Sequence, residues 1–439
     1  MPKGWEWCRV RDIAAVKGGK RLPKGVGFSP CRTAHAYIRV TDMKNHSINT
    51  DDLKYISEEV FLQIKNYTIS KDDLYVTIAG TIGVTGEVPT ELDGMNLTEN
   101  AVKITNIQIN KTYLCLIIQS EFVQQQFQDK THQVAMPKLA LERILSTLIP
   151  VCTITTQSAM VSKFVEMDSL INQIREEKEI LAETVSLTKS KILDLAIRGQ
   201  LVPQDPNDEP ALVLLERIRA EKEELIKAGK IKRDKKESII FRGEDNSYYQ
   251  QTGTLIENIN DWNLDDIPIN WELCCLGEIC DYGNCVNVDT KDIDEEAWVL
   301  DLEDIEKDSG KVIHKIRKYE RDSSSTKHLF KKGQVLYSKL RPYLNKVVLA
   351  DEEGFCTSEI LPLNFSNVVE PQYALYYLMS PTFLKYANRC SYGVKMPRLG
   401  TADGRKAVFP LPPFEEQRRI SQHISKIFIE IDNISNMLL

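Results

Sequence analysis

The sequence predicts an α+β protein in which two copies of one globular unit are joined by long helices that pair as an antiparallel coiled coil. Three observations predict it. First, the chain repeats itself: Met136-Pro137-Lys138-Leu139 returns as Met396-Pro397-Arg398-Leu399, Ile149-Pro150 as Phe409-Pro410, and Gln157 as Gln417, each at an offset of 260. Self-similarity at a fixed period marks duplicated structural units. Trp5-Glu6-Trp7-Cys8 is echoed by Trp271-Glu272-Leu273-Cys274 at an offset of 266, so one small insertion or deletion separates the copies. Second, both halves alternate short β-rich runs with Gly, Pro, Asn and Asp clusters. Third, two segments carry long apolar repeats of coiled-coil type.

Residues 1–150 form the first unit. AYIRVTDM, DDLYVTIAGTIGVTGEV and AVKITNI read as strands between turns, and YLCLIIQSEFVQQQF as a helix near the end. Residues 151–236 are helical. With Phe164 at position a of a heptad, the a series is Phe164, Ile171, Lys178, Val185 and Ile192, and the d series Met167, Ile174, Leu181, Thr188 and Leu195. A seam this long wants a long partner helix. Three prolines in GQLVPQDPNDEP end that helix, and a charged helix follows whose basic end, KIKRDKK, is either a phosphate contact or a solvated helix terminus.

Residues 237–265 read as an irregular connector. Residues 266–410 repeat the first unit, with WVLDLEDI, GQVLYSKLRPYLNKVVLA and EILPLNF as strands and YALYYLMSPTFLKYA as the helix. Pro412-Pro413 then make a rigid entry to a last helix at 411–439, with Glu415 and Glu416 in its first turn, where acids suit the dipole. Its apolar positions, Ile420, Ile424, Ile427, Ile431, Ile434 and Leu438, alternate spacings of four and three. The residues predicted to make the coiled-coil or subunit interface are therefore Phe164, Ile171, Ile174, Leu181, Ile192, Leu195, Ile420, Ile424, Ile427, Ile431 and Ile434. The alternative is that each helix packs separately on its own unit.

A length of 439 residues accommodates two or three ordinary domains. There is no apolar run of membrane-spanning length and no apolar core of a signal peptide near the N-terminus, which predicts a cytoplasmic protein. Ten cysteines in that setting are expected as reduced thiols. Cys274, Cys275, Cys280 and Cys285 cluster, but their spacing lacks the short hooks of zinc sites, and neighbours on a strand point to opposite faces. No metal is therefore expected.

Catalytic signatures are missing. There is no phosphate-binding GxxxxGK[ST] loop, GxGxxG turn, HExxH or GxSxG elbow, and the six histidines are scattered. Leu411-Pro412-Pro413-Phe414 imitates the motif of amino-group DNA methyltransferases, but Leu411 cannot accept a target amine. Asp301 and Glu303 share one strand face, in a run so acidic that a solvated edge explains them better than a metal nuclease.

Recognition remains. Net charge is −7, yet the first fifty residues hold ten Lys and Arg against three Asp and Glu, and local distribution decides a binding face. Candidate DNA contacts there are Lys20, Arg21 and Lys24. In the second unit Ser338, Lys339, Arg341, Tyr343 and Lys346 interleave cations with an aromatic and a Pro-fixed turn, suited to a phosphate backbone with one or two side chains reaching base edges. The first copy has Thr77 and Thr81 at that place, among small residues that allow close approach. Lys138, Lys395 and Arg398 flank the two Met-Pro pairs. Each of these loops can also be an ordinary surface turn.

At this point the residues resemble the specificity (S) subunits of type I restriction-modification systems. The resemblance covers nearly the whole chain and is strongest in LTKSKILDLAIRGQLVPQDPNDEPALVLLERIRAEK at 187–222, KKGQVLYSKLRPYLNKVVLA at 331–350 and PLPPFEEQRRI at 410–420. It implies that each unit is a target recognition domain reading one half of a split site in double-stranded DNA. The helices would form the spacer, two methyltransferase (M) subunits would supply S-adenosylmethionine chemistry, and motor-nuclease (R) subunits would add ATP- and Mg-dependent translocation and cleavage. The chain itself would hold no cofactor and catalyse nothing. One departure stands out: about forty helical residues follow Gln157, little more than twenty follow Gln417, and the Gly199-Gln200-Leu201 ending has no second copy. Helix pairing and M-subunit docking at that end are expected to be incomplete. Two other classes compete. An enzyme would modify DNA without partners, and a tether for a non-DNA partner would lack salt-dependent DNA binding.

Overall fold

A computed structural model describes residues 2–128, 138–229, 237–245, 247–262, 264, 266–321 and 325–438. The chain divides into two compact units, Met1–Arg175 and Glu176–Leu439.

In the first unit, strand Glu6–Arg9 pairs antiparallel with Leu148–Val151 and closes the domain. Between them lie two four-stranded sheets. One runs in the order Ala15–Gly18, Ala101–Thr105, Leu74–Thr77, Thr85–Glu87; the other in the order Lys54–Ile56, His35–Ile38, Met95–Leu97, Thr68–Ile69. Strand Leu74–Thr77 is buried on both faces, and the period of two sorts its side chains. Leu74 and Val76 join the core under helices Lys111–Gln119 and Glu121–Gln128, with Leu114, Ile118, Val123 and Phe127. Tyr75 points the other way, into the core with Ile38, Ile69 and Leu97.

The second unit repeats this plan. Strand Glu272–Cys275 pairs antiparallel with Val408–Leu411. A five-stranded and a three-stranded sheet replace the two four-stranded ones, and helices Pro371–Met379 and Pro381–Cys390 cover an aromatic core of Tyr373, Tyr377, Phe383 and Phe409. The copies agree at the level of single hydrogen bonds. Tyr113 donates to the Pro150 carbonyl at 3.0 Å, and Tyr373 to that of Pro410 at 2.9 Å. Gln157 accepts from the Asn110 amide at 2.9 Å, and Gln417 from that of Glu370 at 2.8 Å.

Residues 237–265 are not an irregular connector. Strands Ser238–Arg242, Tyr248–Thr252 and Leu255–Asn258 form an antiparallel meander. It is anchored by buried Gln250, which donates to the Lys406 carbonyl at 2.8 Å. These strands are short and half polar, so their pairing depends on the surface they pack on rather than on local propensity.

The central helix spans Ile154–Ile197, 44 residues, and the distal helix Phe414–Leu438, 25 residues. Within the second unit the last turns of the central helix run antiparallel to the distal one. Lys189 is paired with Asp432 and lies 5.2 Å from the Phe428 ring, while further along Gln204 donates to Glu416 at 2.6 Å and Arg419 to Asp208 at 2.6 Å. The side chains assigned to the seam divide differently from expectation. Ile420 and Ile424 are fully buried in the globular core of the second unit, with Ile427 and Ile431 half-buried and Ile434 exposed. Leu193, Ala196 and Ile197 face that core, leaving Ile192 and Leu195 only partly buried, because the helix end docks on a domain and follows its surface instead of a strict heptad. Leu181 is half-buried, and Phe164, Met167, Ile171 and Ile174 are 47–53% exposed. Among the described residues no helix is long and apolar enough to cross a membrane.

Candidate DNA interface

The second unit builds its candidate surface by joining two loops distant in sequence. Strand Val335–Ser338 runs into a turn that reverses through a single 3-10 turn, Pro342–Leu344. Arg341 (φ +49°) and Asn345 (φ +46°) bracket it in the left-handed region, which a side chain adopts only when its surroundings enforce it. The enforcement is visible. The Arg341 amide donates to the Pro397 carbonyl at 2.7 Å, the Leu399 amide to that of Lys339 at 3.0 Å, and the Asn345 side chain to the Met379 carbonyl at 3.1 Å. The hairpin of Ser391–Tyr392 and Arg398–Leu399 is thereby fastened to the 338–346 loop, and Leu340 bridges Arg398 directly.

Tyr343, Tyr392, Val394, Lys395 and Met396 project from this platform into solvent. Lys339 is half-buried beside them. The Arg341 Nε is buried without a hydrogen-bond partner. Arg398 does not point freely outward. Its Nε and Nη2 grip the Glu359 carboxylate at 2.7–3.1 Å, which holds that carboxyl below the usual range.

The first unit makes the same joint with different side chains. The Leu139 amide donates to the Ile78 carbonyl at 2.9 Å, matching the bond between Leu399 and Lys339. Thr81 is exposed at the tip of a turn that uses Gly80 and Gly83 at φ +80° and +90°, where a Cβ would be strained. Lys138 donates to the Glu99 carbonyl at 3.2 Å, and the Glu99 carboxylate receives Arg21 Nε at 2.7 Å and the Thr98 hydroxyl at 3.1 Å. Partial burial pushes the Glu99 pKa up, but the Arg21 and Thr98 hydrogen bonds outweigh it and leave the carboxyl below its ordinary value. Lys20 Nζ lies 5.4 Å from the Tyr67 ring, and Lys24 is exposed on the following turn. Lys20, Arg21, Thr81 and Lys138 thus belong to one face around Glu99 and the 77–83 turn.

Three candidates are corrected. Thr77 is fully buried, its hydroxyl bonded to the Thr81 carbonyl and accepting the Val84 amide at 3.0 Å, so it shapes the turn and cannot touch DNA. Ser338, its counterpart, is 3% exposed and donates to the Leu340 carbonyl at 2.9 Å. Lys346 spends its ammonium on the Leu302 carbonyl at 2.6 Å, bracing the loop from behind. Thr77 and Ser338 are the last residues of their strands and sit one bend too deep, while Lys346 follows the turn and leads back into the sheet. The residues 134–137 beside Lys138, and the basic end 230–236, lie outside the described residues.

Sequence reasoning missed Glu99 and Glu359. The signal was present: Thr98-Glu99 and Ser358-Glu359 stand at the same offset of 260 as the other anchors. The cysteine cluster is a set of thiols in or beside the core, with burial raising the pKa of Cys274, Cys280 and Cys285 and pushing that of Cys275 up to about 12. Among the described residues no group of three or more His, Cys, Asp or Glu is placed to hold a metal.

Two rigid, duplicated platforms bearing exposed cations and aromatics fit phosphate contact and base-edge reading. Residues 2–183 and 268–438 match the family described as the type I restriction modification DNA specificity domain. The chain belongs to this family. It is 30% identical over 260 residues to the type I restriction enzyme EcoAI specificity subunit of Escherichia coli, covering 56% of this chain and 40% of that protein. It is 23% identical over 288 residues to the EcoDI specificity subunit, covering 62% of this chain and 54% of the other. The chain thus spans about half the length, or less, of these curated relatives. Two solved structures share the fold at low identity. One, from work on assembly and conformational transition of the type I R-M system, has a TM-score of 0.58 at 16% identity, covering 100% of this chain and 93% of the other. The HsdS subunit from Thermoanaerobacter tengcongensis has a TM-score of 0.50 at 15% identity, with the same coverages.

Proposed function

We propose that this chain is the DNA-reading specificity subunit of a type I restriction-modification complex and has no catalysis of its own. Each unit reads one half of a bipartite site in double-stranded DNA, and the central and distal helices set the spacing between the halves. Methyltransferase (M) subunits dock on this scaffold and bring S-adenosylmethionine to the target adenine, and motor-nuclease (R) subunits bring ATP and Mg. The complex works in the cytoplasm, where its DNA is.

The observation that carries this reading is the duplicated platform. Both units fasten a turn after a buried strand to a basic segment through the same backbone bond, between Ile78 and Leu139 and between Lys339 and Leu399. A rigid mount is what base reading requires, since a bidentate contact tolerates little positional error. Exposed Lys395, Lys24, Lys20 and Tyr343 supply phosphate and stacking contacts around it.

The test is to express the chain with the methyltransferase subunit encoded beside it in a host free of DNA methylation, and to map N6-methyladenine across the genome. A split motif that appears only when this chain is present supports the proposal. Soluble partners without chain-dependent methylation would refute it.

A further inference from the structure

Both reading platforms carry a carboxylate where a phosphate-binding surface would be expected to exclude one. In the second unit Glu359 takes the side edge of the Arg398 guanidinium through Nε and Nη2, leaving Nη1 resting at 3.3 Å on the Met396 carbonyl. In the first unit Glu99, at the equivalent position of the repeat, takes Arg21 through Nε. Stability does not account for the pair in the first unit, although the Arg398–Glu359 pair is less exposed, at 34% and 22%. The Arg21 side chain is 79% exposed, and exposed ion pairs contribute little to folding. Nor does affinity, because a negative charge on this face repels the DNA backbone.

What a carboxylate does provide is aim. A free arginine side chain samples many rotamers and binds any nearby phosphate. Gripped along one edge, it becomes a planar fork with a fixed direction, and its remaining donors suit a guanine edge better than a mobile backbone oxygen. The negative charge also offsets the cation, which weakens binding to DNA of the wrong sequence.

We infer that Glu99 and Glu359 are specificity-setting positioning residues, each aiming one arginine, Arg21 in the first unit and Arg398 in the second, at a base edge of its own half-site. The inference rests on the DNA-reading function proposed above and adds to it which residues carry discrimination in each half. Glu99 and Glu359 touch the arginines and not the DNA.

The test uses the full chain co-purified with its methyltransferase subunit, as wild type, E359Q, E99Q, R398K and the control E353Q, which removes an exposed carboxylate separated from Glu359 by the strand Gly354–Thr357. Binding is measured on a duplex carrying the mapped motif and on a scrambled duplex across a salt series, and N6-methyladenine is mapped for each variant. E359Q is expected to bind scrambled DNA more tightly, with a steeper salt slope, while losing roughly 5- to 100-fold of discrimination at one base position. The relaxed position should lie in one half-site only, and E99Q should relax the other half. R398K keeps the charge and loses the fork, so it should relax the same position as E359Q without gaining scrambled-DNA affinity. A merely structural role would weaken binding to both duplexes together, lower the melting temperature and leave the motif unchanged; that result overturns the inference. So does discrimination equal to that of wild type and E353Q. A wild-type complex with no chain-dependent motif at all refutes the proposed function instead, and the inference falls with it.

Discussion

Replacing Gln417 by alanine should loosen the joint between the distal helix and the rest of the second unit, and the structure sets the size of the effect. Gln417 is completely buried. Its Oε1 accepts the Glu370 amide at 2.8 Å, and its Nε2 donates to the carbonyls of Val368 and Pro412 at 3.0 and 2.9 Å. One side chain therefore ties the start of helix Pro371–Met379 to the start of helix Phe414–Leu438. Q417A would leave one donor and two acceptors without partners, in a space small enough to hinder water. At about 1–3 kcal/mol per buried group left unsatisfied, reduced where water enters or a carbonyl finds another donor, the loss should be about 3–5 kcal/mol. The counterpart Gln157 makes one such bond to Asn110 and one to the Cys152 carbonyl at 2.7 Å, so Q157A should cost less, about 2–3 kcal/mol. Urea unfolding of the complexed full chain, followed by tryptophan fluorescence and by protease sensitivity of each unit, separates the two transitions. Q417E adds a pH signature. Its carboxylate would face two carbonyls, so its folded pKa lies above the unfolded value. The penalty should be small below pH 4 and grow as the pH rises through the folded pKa. Losses below about 1 kcal/mol for Q417A, or a larger loss for Q157A than for Q417A, would refute the reasoning.

Other expectations follow from the same geometry. Inserting one helical turn near Val185 should lengthen the central helix by about 5.4 Å and change the mapped half-site spacing by roughly 1–2 base pairs; an unchanged spacing in the methylation map would count against the helix as a ruler. R341G should relieve the left-handed strain and raise stability by up to about 1 kcal/mol in unfolding experiments, while weakening DNA binding in a shift assay. K395A should weaken binding to all sequences alike and reduce the salt slope by about 1, measured by titration at several salt concentrations. Burial pushes the Asp432 pKa up, but Lys189 and Lys311 outweigh it and hold the carboxyl below its ordinary 3.8. Its contribution is present above that pH and is lost as the pH falls through the folded value, so D432N should flatten the acid limb of a stability profile, by about 1 kcal/mol.

Much of the architecture was legible in the residues. The duplication showed as identities at one offset, and those anchors prove to be hydrogen-bonding or packing groups: Gln157 and Gln417 each accept a backbone amide, from Asn110 and Glu370, and the carbonyls of Pro150 and Pro410 each receive a tyrosine. Both long helices were legible because a heptad is a local pattern. The candidate site was legible only in outline. Lys395, Arg398, Lys20, Arg21 and Lys138 were named from charge and loop context, but nothing local distinguishes exposed Thr81 from buried Thr77, four residues earlier. Nothing local marks Glu99 and Glu359, whose partners Arg21 and Arg398 are supplied by other segments of the chain.

By itself the sequence determined that two like units alternate with helices, because repeats, turn residues and apolar periods are encoded in neighbouring residues; the family showed separately, in the likeness of long segments such as 187–222. Only the tertiary structure decided which side chains face outward. The bonds from Lys339 to Leu399 and from Ile78 to Leu139 cross about sixty residues, and they set the direction in which every nearby side chain points. The same holds for Ile420 and Ile424, whose spacing fits a coiled coil but whose burial belongs to a globular core. A period states that a face is apolar; which surface covers it is settled by the competition among all surfaces the folded chain brings within reach.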